Sequence, residues 1–180
     1  FSLVIYVLNI NIYYMSLTNH DITRISEKLK LPIIGVYSKD ELKGLKPQVG
    51  TYHINMSDAK EPGTHWTMLK IFCDKDREVN AVKGSRKECE ALYFDSFGID
   101  MPLEVKAFLK PFRPIAYSNR HIQNIESAVC GWYGLLLDYA LEYKQVSNTY
   151  LEDYEKFLNS WSDSTIENTK LLKERFKKIN

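Results

Sequence analysis

Cys130 is the residue of this sequence whose surroundings best suit a nucleophile. Behind it, apolar residues such as Tyr133 and Leu137 recur at spacings of three and four, which predicts a core helix from Val129 onward. Ser127 is placed to cap that helix, and the free amides of a helix N-terminus favour a thiolate over a thiol. A lone cysteine beside an apolar helix face is more often a small buried residue, so the helix alone leaves both interpretations open.

Two further polar residues stand where predicted strands meet loops. His65 opens one strand, and Asp95 closes another. A thiolate nucleophile needs an imidazole to carry protons, a carboxylate or amide to orient that imidazole, and donors for the oxyanion. Gln123 precedes Cys130 in the chain and supplies a side-chain amide. Together these residues predict a cysteine protease site.

The order of these motifs resembles that of the adenovirus-type (adenain-like) maturation proteases, including the related proteases of virophages and large DNA transposons. The matching motifs are His65-Trp66, Asp95-Ser96-Phe97-Gly98, Gln123 and Cys130-Gly131. SUMO-deconjugating proteases belong to the same clan and share this order. Papain-like enzymes place the glutamine and the cysteine before the histidine, so the arrangement is a permuted one.

The resemblance implies a role for each matched residue. Cys130 would be the nucleophile, His65 the general base and acid, and Asp95 the carboxylate that orients the imidazole. The side chain of Gln123 and the backbone N–H of Cys130 would form the oxyanion hole, and Trp66 would pack beside the catalytic ring. The candidates for the substrate cleft are the neighbouring residues Gly63, Thr64, Trp66 and Gly131.

The implied function is that of a viral maturation cysteine endopeptidase, which cleaves capsid or core precursor proteins at glycine-containing sites through an acyl-enzyme. Such a protease would work in the virion and at cytoplasmic or nuclear assembly sites of the infected cell, as a monomer that is not secreted. DNA or a viral peptide would be a possible activator, although no residues here match those contacts. Three alternatives stay open: a SUMO- or ubiquitin-like deconjugating protease, an acyltransferase on the same fold, and a non-catalytic binding module.

Composition and charge limit the domain organisation and the classes of ligand that this chain is expected to bind. A chain of 180 residues with 44% hydrophobic residues suits one domain with a substantial core. The formal net charge of +1 indicates neither a general nucleic-acid binder nor a binder of acidic substrates. We expect no cofactor and no metal, because no Cys/His cluster has zinc-ligand spacing. Cys73 and Cys89 flank a charged loop and could approach each other across a hairpin, but the three cysteines favour a reducing compartment, so both are expected to be reduced strand residues.

The predicted fold class is α+β, a papain-like or adenain-like cysteine protease fold with a central mixed sheet, the Cys130 helix packed against it and flanking helices. The predicted strands lie near 51–56, 65–73, 90–95 and 114–117. Capping patterns at Thr18, Thr149 and Ser164 predict helix starts. His53 is predicted to be a solvent-side or hydrogen-bonded strand residue.

The chain is expected to divide into a short upstream extension and one protease domain. The extension covers residues 1–14, which are apolar but too short to span a bilayer, so no membrane contact is expected. The domain covers residues 15–180 and ends in helices at about 149–180. Between the histidine and aspartate strands, residues 74–88 form a predicted charged hairpin loop that is longer than is common in the family.

Overall fold

A five-stranded mixed sheet forms the centre of the fold in the computed structural model, which describes residues 16–73 and 89–179. The strands are β1 (Ile33–Ser38), β2 (Gly50–Asn55), β3 (Trp66–Phe72), β4 (Glu90–Phe94) and β5 (Ile115–Tyr117). They lie in chain order across the sheet. The two inner pairs, β2–β3 and β3–β4, are antiparallel. At the edges, β1 runs parallel to β2 and β5 runs parallel to β4. The predicted extension 1–14 and the predicted loop 74–88 lie outside the described residues.

Helices cover both faces of this sheet. They are α1 (Asn19–Leu29), a 3₁₀ helix (Lys39–Gly44), α2 (Leu103–Leu109), α3 (Cys130–Tyr143), α4 (Tyr150–Asn159) and α5 (Thr165–Lys177). Thr18 forms the predicted capping box with Asp21, and Thr149 and Ser164 cap α4 and α5 with their side chains. The predicted α+β architecture and these helix starts are confirmed.

The alternation of side chains along β3 separates two cores. Met68 and Phe72 face α1, α3, α4 and α5, while Leu69 and Ile71 face α2 and the 3₁₀ helix. Because both faces of the sheet are covered, the inner strands are buried almost throughout, including polar residues such as His53 and Lys70. The helix that carries Cys130 therefore lies between the sheet and the two C-terminal helices.

Aromatic contacts attach the C-terminal helices to α3. The ring of Trp132 meets that of Phe176 edge-on, with centroids 5.3 Å apart. The ring of Tyr133 lies 5.0 Å from that of Trp161. Aromatic pairs at such distances add stabilisation beyond the burial of their area. Residues far along the chain from Cys130 thus hold its helix in place.

The start of α3 differs from the prediction. Cys130 is the first helical residue, and Val129 occupies the N-cap position without a side-chain hydrogen bond. Ser127 instead donates its hydroxyl to the carbonyl oxygen of Asn124, at 2.6 Å. The prediction of a serine cap was wrong, because the helix begins at Cys130 and Ser127 lies two residues before the N-cap position.

His53 is fully buried, so the prediction of a solvent-side or hydrogen-bonded histidine was wrong. Neither ring nitrogen has a hydrogen-bond partner among the described residues. Burial first, and the nearby charge of Lys70 second, lower its pKa to about 4, so the ring is neutral at pH 7. The prediction failed because β2 is buried on both faces, and no solvent side exists for alternate residues to occupy.

Cys73 and Cys89 form a disulfide, so the prediction of two reduced thiols was wrong. The register of β3 and β4 pairs Phe72 with Glu90. The next pair outward is Cys73 and Cys89, whose Cα atoms are 4.2 Å apart. Cysteine number and compartment give no information on register, which is why the pairing was missed. Cys130 is a free cysteine.

Candidate active site

His65 and Asp95 meet because they stand at matching ends of neighbouring antiparallel strands. His65 directly precedes β3, and Asp95 directly follows β4. The start of one antiparallel strand lies beside the end of its partner. Nε2 of His65 is 3.0 Å from Oδ1 of Asp95, and the Asp95 side chain is 2% exposed. The sheet therefore brings the predicted base and its orienting carboxylate together.

A tight turn after β4 fixes the carboxylate. The backbone N–H of Phe97 donates to Oδ1 of Asp95 at 2.7 Å, and the N–H of Gly98 donates to the Asp95 carbonyl at 3.0 Å. Gly98 adopts φ +70°, and a Cβ there would lie 2.8 Å from the backbone of Asn119 and Arg120. A residue with a side chain would be strained and crowded at this position. The Asp-Ser-Phe-Gly sequence is thus a turn that holds Asp95 in one orientation.

The ring of Phe97 also packs on the histidine. Its centroid lies 4.7 Å from that of His65, with the two planes inclined at 30°. The sequence predicted Trp66 beside the catalytic ring, but the stacked neighbour is Phe97. Trp66 turns its indole toward Leu17, whose carbonyl oxygen accepts from Nε1 at 2.7 Å. Phe97 therefore restricts rotation of the imidazole, and Trp66 forms a wall next to it.

Cys130 lies against the same histidine, at the start of α3. Its thiol is near enough to His65 to help raise the pKa of the imidazole, and its Sγ accepts a hydrogen bond from the backbone N–H of Trp66 at 3.3 Å. Because Nε2 of His65 faces Asp95, Nδ1 is the ring nitrogen that serves the thiol. Cys130 is 6% exposed. The structure thus places the predicted nucleophile, base and carboxylate in one contiguous row.

The environment of His65 favours its protonated form. Burial opposes the charge, but hydrogen bonds to Asp95 and Cys130, together with the negative charge of both, raise its pKa to about 9. A protonated imidazole beside the sulfur stabilises a thiolate. The imidazole is therefore protonated at neutral pH and lies beside the thiol.

Gln123 is fully buried and is held at both ends of its amide. Its Oε1 accepts from the hydroxyl of Ser96 at 2.6 Å, and its Nε2 donates to the carbonyl of Ser127 at 2.6 Å. The Ser127 carbonyl can only accept, so the atom that faces it is Nε2, which lies on the side of the loop that enters α3. As the first helical residue, Cys130 has a backbone N–H without an acceptor in the helix. These are the donors that the sequence assigns to an oxyanion hole, and that role stays a prediction.

Ser96 joins the two loops that carry Asp95 and Gln123. Besides its hydroxyl contact, its carbonyl accepts the backbone N–H groups of Ile122 at 2.9 Å and Gln123 at 3.0 Å. Sequence reasoning assigned Ser96 and Phe97 no role, although both lie inside the motif quoted for Asp95. Their position directly after Asp95, and before Gln123 in the chain, was the signal in the sequence that could have indicated a role.

The cleft candidates lie on the Trp66 side of the site. The Thr64 hydroxyl hydrogen-bonds that of Ser57 at 2.8 Å, which ties down the loop before His65. A Cβ on Gly131 would lie 3.1 Å from the side chain of Leu17. Gly63 lies against the side chain of Asn55. Thr64 and Gly131 therefore position the chain, whereas Gly63 borders open space.

The described residues contain neither a cluster of metal ligands nor a membrane-spanning helix. Within 16–73 and 89–179, no group of three or more His, Cys, Asp or Glu residues could hold a metal ion. No helix in that part of the chain is long and apolar enough to cross a membrane.

Comparisons with known proteins identify the fold through structure. No family model matches the sequence, and no curated protein matches it. The crystal structure of the ASFV pS273R protease matches with a TM-score of 0.53 and 16% sequence identity, covering 92% of this chain and 67% of that one. Its selenomethionine form matches with a TM-score of 0.51 and 18% identity, covering 92% and 68%.

The chain has the fold of a viral cysteine protease. The structural neighbours are such proteases, which agrees with the fold expected from the motifs. At this low identity the likeness concerns the fold alone. The narrower resemblance to virophage and transposon proteases stays a prediction.

Proposed function

We propose that this protein is a cysteine endopeptidase that acts on viral structural precursor proteins. The observation that carries the proposal is the row formed by Asp95, His65 and Cys130, in which one imidazole contacts a buried carboxylate and a free thiol. The protease fold of the structural neighbours supports it independently.

The geometry supports a reaction in two halves. The Cys130 thiolate attacks the scissile carbonyl carbon, and Asp95 keeps the His65 ring oriented with Nδ1 toward the sulfur. The oxyanion is stabilised by the N–H of Cys130 and the Gln123 amide. His65 then gives its proton to the leaving amine, which releases the first product and leaves an acyl-enzyme. In the second half His65 takes a proton from water, which attacks the thioester and frees Cys130.

Capsid or core precursors with glycine at the cleavage site are the proposed substrates. The motif order supports this class, because it is that of adenovirus-type maturation proteases. A narrow cleft beside Trp66 would favour residues with little side chain. The proposed setting is the virion and the assembly site of an infected cell.

Co-expression with candidate capsid proteins tests the proposal, with products identified by mass spectrometry. The matched controls are Cys130→Ser, which keeps the size of the side chain, and a SUMO fusion as a competing substrate. Specific cuts in capsid proteins that are absent with Cys130→Ser support the maturation protease. Cleavage of the SUMO fusion alone would replace it with a deconjugating protease.

If neither substrate is cut, the reactivity of the thiol decides. Alkylation of Cys130 no faster than that of an ordinary exposed cysteine would overturn the proposal. Fast alkylation that depends on His65 would support a competent site and redirect the search to other substrates.

A further inference from the structure

A cavity of about 360 Å³ opens beside the nucleophile, on the Trp66 side. Leu17 and Trp66 form the wall that it shares with the site. The Trp66 backbone contacts Sγ of Cys130, and the Leu17 side chain packs against Gly131. A peptide held across Cys130 would therefore pass the mouth of this cavity.

Asn55 presents an unused hydrogen-bond donor to the cavity. Its Oδ1 accepts the backbone N–H groups of Ser57 at 2.9 Å and Thr64 at 3.3 Å, which fixes the orientation of the amide. The residue is only 6% exposed and lines the cavity, and its Nδ2 has no hydrogen-bond partner among the described residues. Nδ2 is not among the fully buried atoms without a partner, so a ligand acceptor would replace water at this donor. A peptide carbonyl is an acceptor of suitable chemistry.

Gly63 keeps this donor accessible. A Cβ at position 63 would lie 2.7 Å from Nδ2 of Asn55, closer than real Cβ contacts allow. The two hydrogen bonds on Oδ1 hold the amide in place, so it could not move aside without breaking them. The absence of a side chain at Gly63 thus leaves room for a ligand atom at the amide.

The charge of the cavity is negative. Of the described residues that line it, the charged ones are Glu41 and Glu61. Oε2 of Glu41 accepts the backbone N–H of Ser38 at 2.7 Å, and Oε2 of Glu61 accepts that of Asp58 at 3.4 Å. The second oxygen of each carboxylate makes no hydrogen bond within the described part of the chain. A cationic side chain is the complementary ligand.

We propose that this cavity is a substrate subsite, which binds a lysine or arginine side chain of the peptide while the Asn55 amide donates to a carbonyl of the peptide backbone. The proposal rests on the proposed function, because the ligand is a peptide that lies across Cys130. It goes beyond that function by assigning a charge preference to one position of the substrate, next to the glycine-containing cleavage site.

Binding to a Cys130→Ala protein tests the subsite without turnover. The probes are fluorescent peptides with a central Gly-Gly, in which each flanking norleucine is replaced in turn by lysine or glutamate. We expect one position at which lysine binds about fivefold more tightly than norleucine, the size typical of partly solvated ion pairs. Glutamate there should bind more weakly than norleucine, and high salt should reduce the preference.

Three substitutions separate the effect of the two carboxylates from that of the Asn55 amide. Glu41→Gln and Glu61→Gln keep an acceptor oxygen and should each lower the lysine preference to about twofold. Glu155→Gln, on the exposed surface of α4, is the matched control and should change nothing. Asn55→Asp keeps the acceptor for Ser57 and Thr64 but removes the donor, so the norleucine peptide should lose about tenfold in affinity.

The subsite is overturned if no position prefers lysine, or if the preference survives the double Glu41→Gln, Glu61→Gln substitution. Cleavage by the wild-type protein is measured on the same peptides. Cleavage without a lysine preference would remove the subsite and keep the protease. A lysine preference in binding without any cleavage would keep the subsite and remove the protease.

Discussion

The backbone N–H of Trp66 donates a hydrogen bond to Sγ of Cys130. The preceding residue, His65, has its ring beside the same side chain. Two consecutive residues at the start of β3 therefore hold the nucleophile. The thiol is positioned by the sheet as much as by its own helix. An N–H aimed at sulfur favours the thiolate, since it is a donor to a developing negative charge.

This arrangement predicts a reactive cysteine. We expect Cys130 to be alkylated by iodoacetamide at pH 6 at least about tenfold faster than an unperturbed cysteine, and His65→Ala to remove that advantage. Asp95→Asn should give an intermediate rate, because the ring stays near but is less well oriented. Peptide mass spectrometry of the labelled protein measures the rates, with Cys130→Ser as the blank. Equal rates in the wild type and His65→Ala would show that the thiol is not activated.

The raised pKa of His65 predicts a specific pH dependence. The pKa is about 9 in the folded protein and 6.5 in the unfolded chain, so the charged ring stabilises the fold fully below pH 6.5. That stabilisation is lost as the pH rises through about 9, and peptide cleavage should fall over the same range. NMR titration of the ring measures the pKa directly. In Cys130→Ala the pKa should be lower, since one of its causes is gone; an unchanged pKa would contradict the contact.

The contact between Ser96 and Gln123 predicts unequal losses of activity. Gln123→Ala should lower kcat by about 10²–10³, as expected for removal of an oxyanion donor. Ser96→Ala should lower kcat by roughly tenfold with little change in KM, because it only releases the Gln123 amide from one partner. Steady-state kinetics on one peptide separates kcat from KM. Ser26→Ala, at a buried hydroxyl of α1 outside the site, serves as the control.

The turn that holds Asp95 predicts a strong effect of a single methyl group. Gly98→Ala should destabilise the protein by more than about 1 kcal/mol, since φ is +70° and the added Cβ meets the backbone of Asn119 and Arg120. Gly44→Ala is the matched control, because no atom lies within 4 Å of its Cβ position. Urea unfolding measures both variants. Equal stability of the two would contradict the strain.

The disulfide predicts a stability difference under reducing and oxidising conditions. Replacing Cys73 and Cys89 by serine should lower the free energy of unfolding by about 3 kcal/mol, because the bond closes a loop with a sequence separation of 16. Reductant should lower the stability of the wild type toward that of the double variant. Non-reducing peptide mapping shows whether the bond is present. Failure to find it would restore the expectation of two free thiols.

Much of the fold could be predicted because the signals are local. Capping residues such as Thr18 and Thr149 act within one turn, and a strand that ends in Asp95 is visible in its own sequence. The order of His65, Asp95 and Cys130 indicated a site, and antiparallel pairing explains how the first two meet. Their catalytic roles stay predictions until activity is measured.

What could not be predicted depends on contacts distant in sequence. The burial of His53 requires helices on both faces of the sheet, and the Cys73–Cys89 bond requires the register of two strands. The hydroxyl of Ser127 fitted a cap by spacing, but α3 begins at Cys130 and its N-cap position is Val129. Stacking of Phe97 on His65 follows from the turn that Gly98 permits, which only the folded backbone reveals.

The packing of α3 against the C-terminal helices has a consequence for synthesis. A ribosome releases His65 and Asp95 before Cys130, and the partners of Trp132 and Tyr133, which are Phe176 and Trp161, emerge later still. A nascent chain therefore contains His65 and Asp95 before the helix that carries Cys130 has all its packing partners. The aromatic partners that hold α3 are therefore complete only when translation has passed Phe176, so the helix that carries Cys130 reaches its full packing late in synthesis.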